Sequence, residues 1–174
     1  SLPDEDGRVT LDSCVMDSNG NCGSVAFLQN IAHPVSVARK VMEDTKHVML
    51  VGRGAKKFAI SKGFKHTNLL TKEGRNAWMD WKKTRKEMTP HDTHDTCSTL
   101  IQDHKGDISG ACTTGGWAYK MHNHPHLSAP FCDYRASPRQ PSCHVHHREQ
   151  KRYSARHPSR PCEYCMIVRS HEKH

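Results

Sequence analysis

The sequence predicts a layered domain mixing strands and helices, of α/β or α+β type, over residues 1–122 of the 174. Two stretches there read as β-hairpins, one near each end of the domain, and the segments between them carry helical patterning around one short apolar strand. A chain of this length is long enough for one domain with a sizeable core.

The elements follow in order. Residues 9–16 alternate in a β-favouring run, Asp17-Ser18-Asn19-Gly20 is a turn signal, and residues 23–27 read as the returning strand. Pro34 is welcome at a first helical position, so residues 35–44 are predicted helical with Val35, Ala38, Val41 and Met42 on one face. Val48-Met49-Leu50-Val51 predicts a short buried strand, and residues 55–62 a second helix stopped by Gly63. Residues 72–88 are charged and helix-favouring, with Trp78 and Trp81 on one face, as in a surface helix with a single packed stripe. Strands over 97–102 and 107–112, joined by Asp103-His104-Lys105-Gly106, complete the second hairpin.

Composition sets the rest of the chain apart. The apolar fraction is 34%, low for a globular protein, and the formal net charge is +8. Residues 122–174 hold nine of the fifteen His, six of the nine Pro and four of the eight Cys. Their nine cations face four anions, against seventeen and fourteen in residues 1–121, so most of the net charge belongs to under a third of the chain. This stretch, 123–174, is therefore expected to be a disordered tail, foreign to the domain. Its Cys162-Glu163-Tyr164-Cys165 pair, with His171 and His174 beyond, has zinc-type ligands, but the five residues between Cys165 and His171 are too few for a standard finger. Adventitious metal or polyanion capture is the remaining use for it. No stretch of roughly 20 apolar residues spans a bilayer, no secretory leader is visible, and the eight Cys lack the spacing of a disulfide framework.

Chemistry concentrates at His94-Asp95-Thr96. A threonine hydroxyl is a poor nucleophile without an adjacent base. If the bond between Asp95 and Thr96 is broken, the freed α-amine of Thr96, with a reference pKa of about 7.7–8.0, supplies that base. Before cleavage the same hydroxyl is placed to attack the Asp95 carbonyl, with the Asp95 carboxylate taking the proton. The tripeptide alone is weak evidence, since it occurs twice in tandem, at His91-Asp92-Thr93 and at His94-Asp95-Thr96.

Its neighbourhood decides more. Gly7-Arg8-Val9-Thr10-Leu11-Asp12, Gly23-Ser24-Val25-Ala26, Pro34-Val35-Ser36-Val37-Ala38-Arg39-Lys40-Val41-Met42-Glu43, His47-Val48-Met49-Leu50-Val51-Gly52, Ser109-Gly110-Ala111-Cys112-Thr113-Thr114 and Ala118-Tyr119-Lys120-Met121-His122 resemble, in order, the glycosylasparaginases, a family of N-terminal nucleophile amidohydrolases. The family spacing to the Ala-Cys-Thr-Thr segment fits Thr96 without a gap, whereas Thr93 requires a three-residue shift. The resemblance implies an α+β fold of the four-layer αββα sandwich type, incomplete at both ends here. It makes Thr96 the nucleophile, Thr114 the residue whose hydroxyl supports it, and His94 and Asp95 the autoprocessing residues beside the cut. The implied reaction hydrolyses the amide joining N-acetylglucosamine to an asparagine side chain, with no metal or organic cofactor. The implied partners are glycosylated asparagine, or an asparagine-like small substrate, and the cleaved α and β chains themselves, with no specific nucleic acid and no membrane. Relatives are lysosomal in eukaryotes and periplasmic or cytoplasmic in bacteria, which leaves the compartment open.

Three departures from the family pattern lead us to expect an impaired enzyme. The family's opening strands and helices, with a pocket tryptophan, lie upstream of Ser1. Cys97-Ser98-Thr99 replaces Ile-Gly-Met after the nucleophile. His124 and Leu127 stand where the family's substrate-gripping Arg and Asp belong. The alternative is a non-catalytic, truncated remnant whose His/Cys-rich basic tail binds metal or polyanions.

Overall fold

The computed structural model describes residues 1–84 and 95–122, together with the backbone of five short strands in the tail. Strands β1 (Thr10–Met16) and β2 (Cys22–Gln29) form the first hairpin. Its turn is closed by Asp17, whose carboxylate accepts the amides of Asn19 and Asn21 at 3.0 and 2.8 Å, while Gly20 takes a left-handed φ of 83°. The pairing slips between Leu11 and Ser13, where β2 carries one extra residue. Phe27 sits at this bulge with φ 55°, and its amide is taken up by Asp12 Oδ1 at 2.7 Å.

Helix α1 (Pro34–Asp44) lies against this hairpin and buries Pro34, Val37, Ala38 and Val41. The inward stripe thus centres on Val37, with Val35 and Met42 only partly buried. Strand β3 (Met49–Val51) pairs in parallel with β2. It is not the buried strand expected: Val51 is 53% exposed and Val48, just before it, 62%, because it lies at the sheet's edge. Helix α2 (Gly52–Ser61) begins three residues earlier than its periodicity indicates, runs through Gly52-Arg53-Gly54, and turns Ala55 and Ala59 inward. Val15, Val25, Leu28, Ile31, Val37, Ala38, Val41, Ala55 and Ala59 form one apolar cluster between sheet and helices.

Helix α3 (Lys72–Thr84) starts at Thr71, whose hydroxyl accepts the amide of Gly74 at 3.0 Å; residues 85–88, expected to continue it, lie outside the described residues. Both tryptophans pack as one stripe: Trp78 donates its indole N–H to the Glu5 carbonyl at 3.0 Å, and Trp81 stacks on Tyr119 with ring centroids 4.5 Å apart. Strands β4 (Cys97–Gln102) and β5 (Ile108–Thr114) form the second hairpin, and β5 also pairs antiparallel with β1. β5 runs two residues beyond its expected end, which carries Thr114 into the sheet.

Two-residue strands β6 (Cys132–Asp133) and β9 (His144–Val145) pair with each other, as do β7 (Ala136–Ser137) and β8 (Gln140–Pro141). β10 (Cys165–Arg169) pairs in parallel with β4. β10 has a simple cause: Met166-Ile167-Val168 is the tail's most β-favouring apolar run, and β4 offers it an open edge. The six-stranded order is β10-β4-β5-β1-β2-β3. The described residues therefore form a mixed α+β arrangement, a six-stranded sheet with α1 and α2 against it and two separate two-stranded pairs.

Candidate active site

Register brings the site together. Asp12 on β1 pairs with Thr114 on β5, and Cys97 on β4 pairs with Thr113, so Thr96, one residue before β4, comes abreast of Thr114. Side chains alternate along a strand. Asp12, Thr114 and Thr96 thus line up on the sheet face opposite Val15, α1 and α2.

The Thr96 hydroxyl lies 3.0 Å from the Thr114 hydroxyl. Thr114, only 2% exposed, accepts the amide of Gly116 at 2.9 Å and directs its own proton toward Asp95 Oδ1 at 3.4 Å. Asp95 Oδ1 also accepts the Gly115 amide at 2.8 Å, and its Oδ2 accepts the hydroxyl of Ser1. A Cβ on Gly115 would stand 2.8 Å from Asp95 Oδ2, so a side chain there would push that carboxylate aside. Lys120, 8% exposed, donates to the Gly115 carbonyl at 2.8 Å. Burial holds its ammonium below the ordinary 10.5, against the opposing pull of Asp12, Asp4 and Asp95. His122 closes the edge of the site, with Nδ1 at 2.8 Å from the buried Asp4 and its backbone N–H given to Glu5 at 3.1 Å.

Of the residues singled out from the sequence, Asp95, Thr96 and Thr114 meet within hydrogen-bonding reach. His94, the tandem His91-Asp92-Thr93, His124 and Leu127 lie outside the described residues, as do Cys162, His171 and His174. No three His, Cys, Asp or Glu side chains among the described residues converge as a metal-binding group. Three contributors were not singled out beforehand. Lys120 sits within a matched segment but carries no local sign of burial. Asp12 has the signal of a carboxylate within an alternating strand, and the Gly115-Gly116 pair that of adjacent glycines after a strand.

Asp12 makes its own prediction. It is 2% exposed and its Oδ2 has no hydrogen-bond partner among the described residues. Desolvation raises its carboxyl above the ordinary 3.8, although the Phe27 amide and Lys120 pull it down. The native chain therefore keeps this proton where the unfolded chain has released it. The associated stability is complete below 3.8 and is lost as pH rises through the interval above that value. Asp12→Asn should flatten the decline in Tm between there and neutrality; melting curves that decline in parallel for both chains would show that the carboxyl does not cause it.

Comparison with known proteins gives the lineage. The family model described as asparaginase matches residues 1–123. An N(4)-(beta-N-acetylglucosaminyl)-L-asparaginase of Elizabethkingia miricola is 57% identical over 122 residues, covering 69% of this chain and 36% of the relative. The enzyme of that name from Mus musculus is 45% identical over 80 residues, covering 45% of this chain and 23% of the relative. A putative one from Drosophila melanogaster is also 45% identical over 80 residues, covering 45% and 20%. The chain thus spans about a third of the bacterial relative and about a fifth of the animal ones. With a family model covering most of its length and relatives named as glycosylasparaginases, the chain belongs to the glycosylasparaginase family of N-terminal nucleophile hydrolases.

Proposed function

We propose that this chain cuts itself between Asp95 and Thr96, and that the exposed Thr96 is the nucleophile of an amidohydrolase acting on the bond between N-acetylglucosamine and asparagine. The 3.0 Å contact between the Thr96 and Thr114 hydroxyls, backed by the Asp95 carboxylate, carries this reading. Thr114 takes the Thr96 proton as it passes its own to Asp95 Oδ1. Thr96 Oγ1 attacks the Asp95 carbonyl carbon, the bond to the Thr96 nitrogen breaks, and that nitrogen takes the proton back from the Asp95 carboxyl. Water then hydrolyses the resulting ester, leaving an Asp95 α-carboxylate and a Thr96 with free amine and hydroxyl.

In the cut chain the α-amine of Thr96 takes the proton of its own hydroxyl, which attacks the side-chain amide carbon of glycosylated asparagine; the carbon–nitrogen bond breaks, the amino sugar leaves with that proton, and water hydrolyses the β-aspartyl ester. Thr114 steadies the nucleophile in both reactions, and His94 acts beside the first cut. The complete fold is the four-layer αββα sandwich, the sheet containing β4 and β5 being one of its two, and the cut halves assemble with each other. His124 and Leu127 do not supply the family's carboxylate and amine clamp, so hydrolysis of a free substrate is weaker than self-cleavage in this chain.

Incubation of the purified chain followed by intact-mass measurement and N-terminal sequencing tests this. The downstream fragment should begin Thr-Cys-Ser-Thr-Leu. A chain that stays whole, or a fragment that begins at Thr93, overturns the assignment of Thr96.

A further inference from the structure

A lysine is almost never fully buried without partners, yet Lys120 is buried beside the site and takes no direct part in the chemistry proposed above. The position of its ammonium is informative. It donates at 2.8 Å to the Gly115 carbonyl, and the same peptide unit presents its N–H, that of Gly116, to Thr114 Oγ1 at 2.9 Å. One amide plane is thus gripped at both ends, by Lys120 on its oxygen and by the supporting hydroxyl on its nitrogen. The flanking residues are both glycines, Gly116 with φ 74°, so no Cβ on either side restrains rotation of that plane. Without the ammonium, the plane is free to turn and take the Gly116 N–H away from Thr114. The Gly115 amide, which holds Asp95 Oδ1 at 2.8 Å, belongs to the same turn.

We propose that Lys120 is a positioning residue for self-cleavage: its ammonium locks the peptide plane between Gly115 and Gly116, which orients the Thr114 hydroxyl between Thr96 and Asp95. The inference rests on the self-cleavage reading given above. A fixed cation on the carbonyl also polarises the amide, making Gly116 a stronger donor. The charged groups around the ammonium are Asp12 from β1, Asp4 from the N-terminal segment, itself bonded to His122, and Asp95. These carboxylates favour the charged lysine, whereas burial disfavours it more strongly, so the lysine loses its proton below the ordinary 10.5. The lock therefore opens on the alkaline side.

The test compares self-cleavage time courses for the wild type, Lys120→Met and Lys120→Arg across pH, read by intact mass. Lys120→Met should cut about 10²-fold more slowly at neutral pH, the scale expected for misplacing a reacting group by an ångström. Lys120→Arg should recover most of that loss. Its rate should persist at alkaline pH where the wild-type rate falls, since a guanidinium stays protonated. A merely structural role would not move that limb. If Lys120→Met fails to fold, the arginine profile decides. In the uncut Thr96→Ala chain, adding Lys120→Met should also speed hydrogen exchange at the Gly116 amide about tenfold or more while the Val25 amide stays protected. A wild type that cuts, with variants that match its rate and pH profile, overturns this inference alone. A wild type that never cuts overturns the self-cleavage reading and this inference with it.

Discussion

Thr96→Ala should leave the chain whole after any incubation that splits the wild type, a loss of at least about 10³-fold, or roughly 4 kcal/mol of barrier. The reason lies in the oxygen count at the site. Self-cleavage needs a hydroxyl on the residue following the scissile carbonyl, and alanine removes that hydroxyl while leaving the strand start otherwise as it was. Thr96→Ser keeps it and should still cut. Thr114→Val should slow cutting by about 10²-fold or more without abolishing it, because the proton must then reach Asp95 Oδ1 without the intervening hydroxyl, now 3.0 Å from Thr96 and 3.4 Å from the carboxylate. Equal rates for Thr114→Val and the wild type would remove Thr114 from the reaction. Cutting by Thr96→Ala would remove Thr96, whatever the other variants do.

Gly23→Ala should destabilise the domain by about 3 kcal/mol, the upper end of ordinary overpacking. Gly23 faces the backbone of α1 at close range. A Cβ there would stand 2.5 Å from the Met42 nitrogen, 2.7 Å from the Met42 Cβ and closer still to the Ala38 carbonyl. Those atoms belong to or adjoin helix backbone and cannot swing aside as a flexible side chain does. The position is not left-handed, so the penalty comes from space alone. Gly54 is the control: it lies in the first turn of α2 with nothing within 4 Å of an added Cβ, and Gly54→Ala should stabilise by about 0.5 kcal/mol through helix propensity. Urea titrations of both variants measure the difference. A Gly23→Ala midpoint no lower than the wild type's would mean that α1 does not pack as closely as described.

Much of the architecture was legible in the residues. Asp17-Ser18-Asn19-Gly20 and Asp103-His104-Lys105-Gly106 announced both turns, because an Asp that caps its own following amides and a glycine free to take positive φ act locally. The tryptophan stripe of α3 was legible for a similar reason, since spacing along one helix fixes which side chains share a face. The exposure of β3 was not, because four apolar residues in a row look the same at a sheet's edge as at its centre. The extra residue at Phe27 was equally hidden: its left-handed backbone is sustained by Asp12, fifteen residues away. The inward residues of α1 shifted to Val37 once the close approach at Gly23 set the helix's rotation on the sheet.

Ordered matching segments along the chain were enough to reveal its family, and spacing to Ala111-Cys112-Thr113-Thr114 favours Thr96 over its tandem twin, a preference that sequencing of the cut fragment tests. What surrounds that residue could be seen only once the chain was folded. Asp12 pairs with Thr114, the Thr113 hydroxyl reaches the Asp12 carbonyl 101 residues away, and Lys120 is turned inward onto the Gly115 carbonyl. Such neighbours are brought together by strand register and burial. Both come from pairing across the whole domain, and local residue patterns do not encode which distant partner a strand will meet.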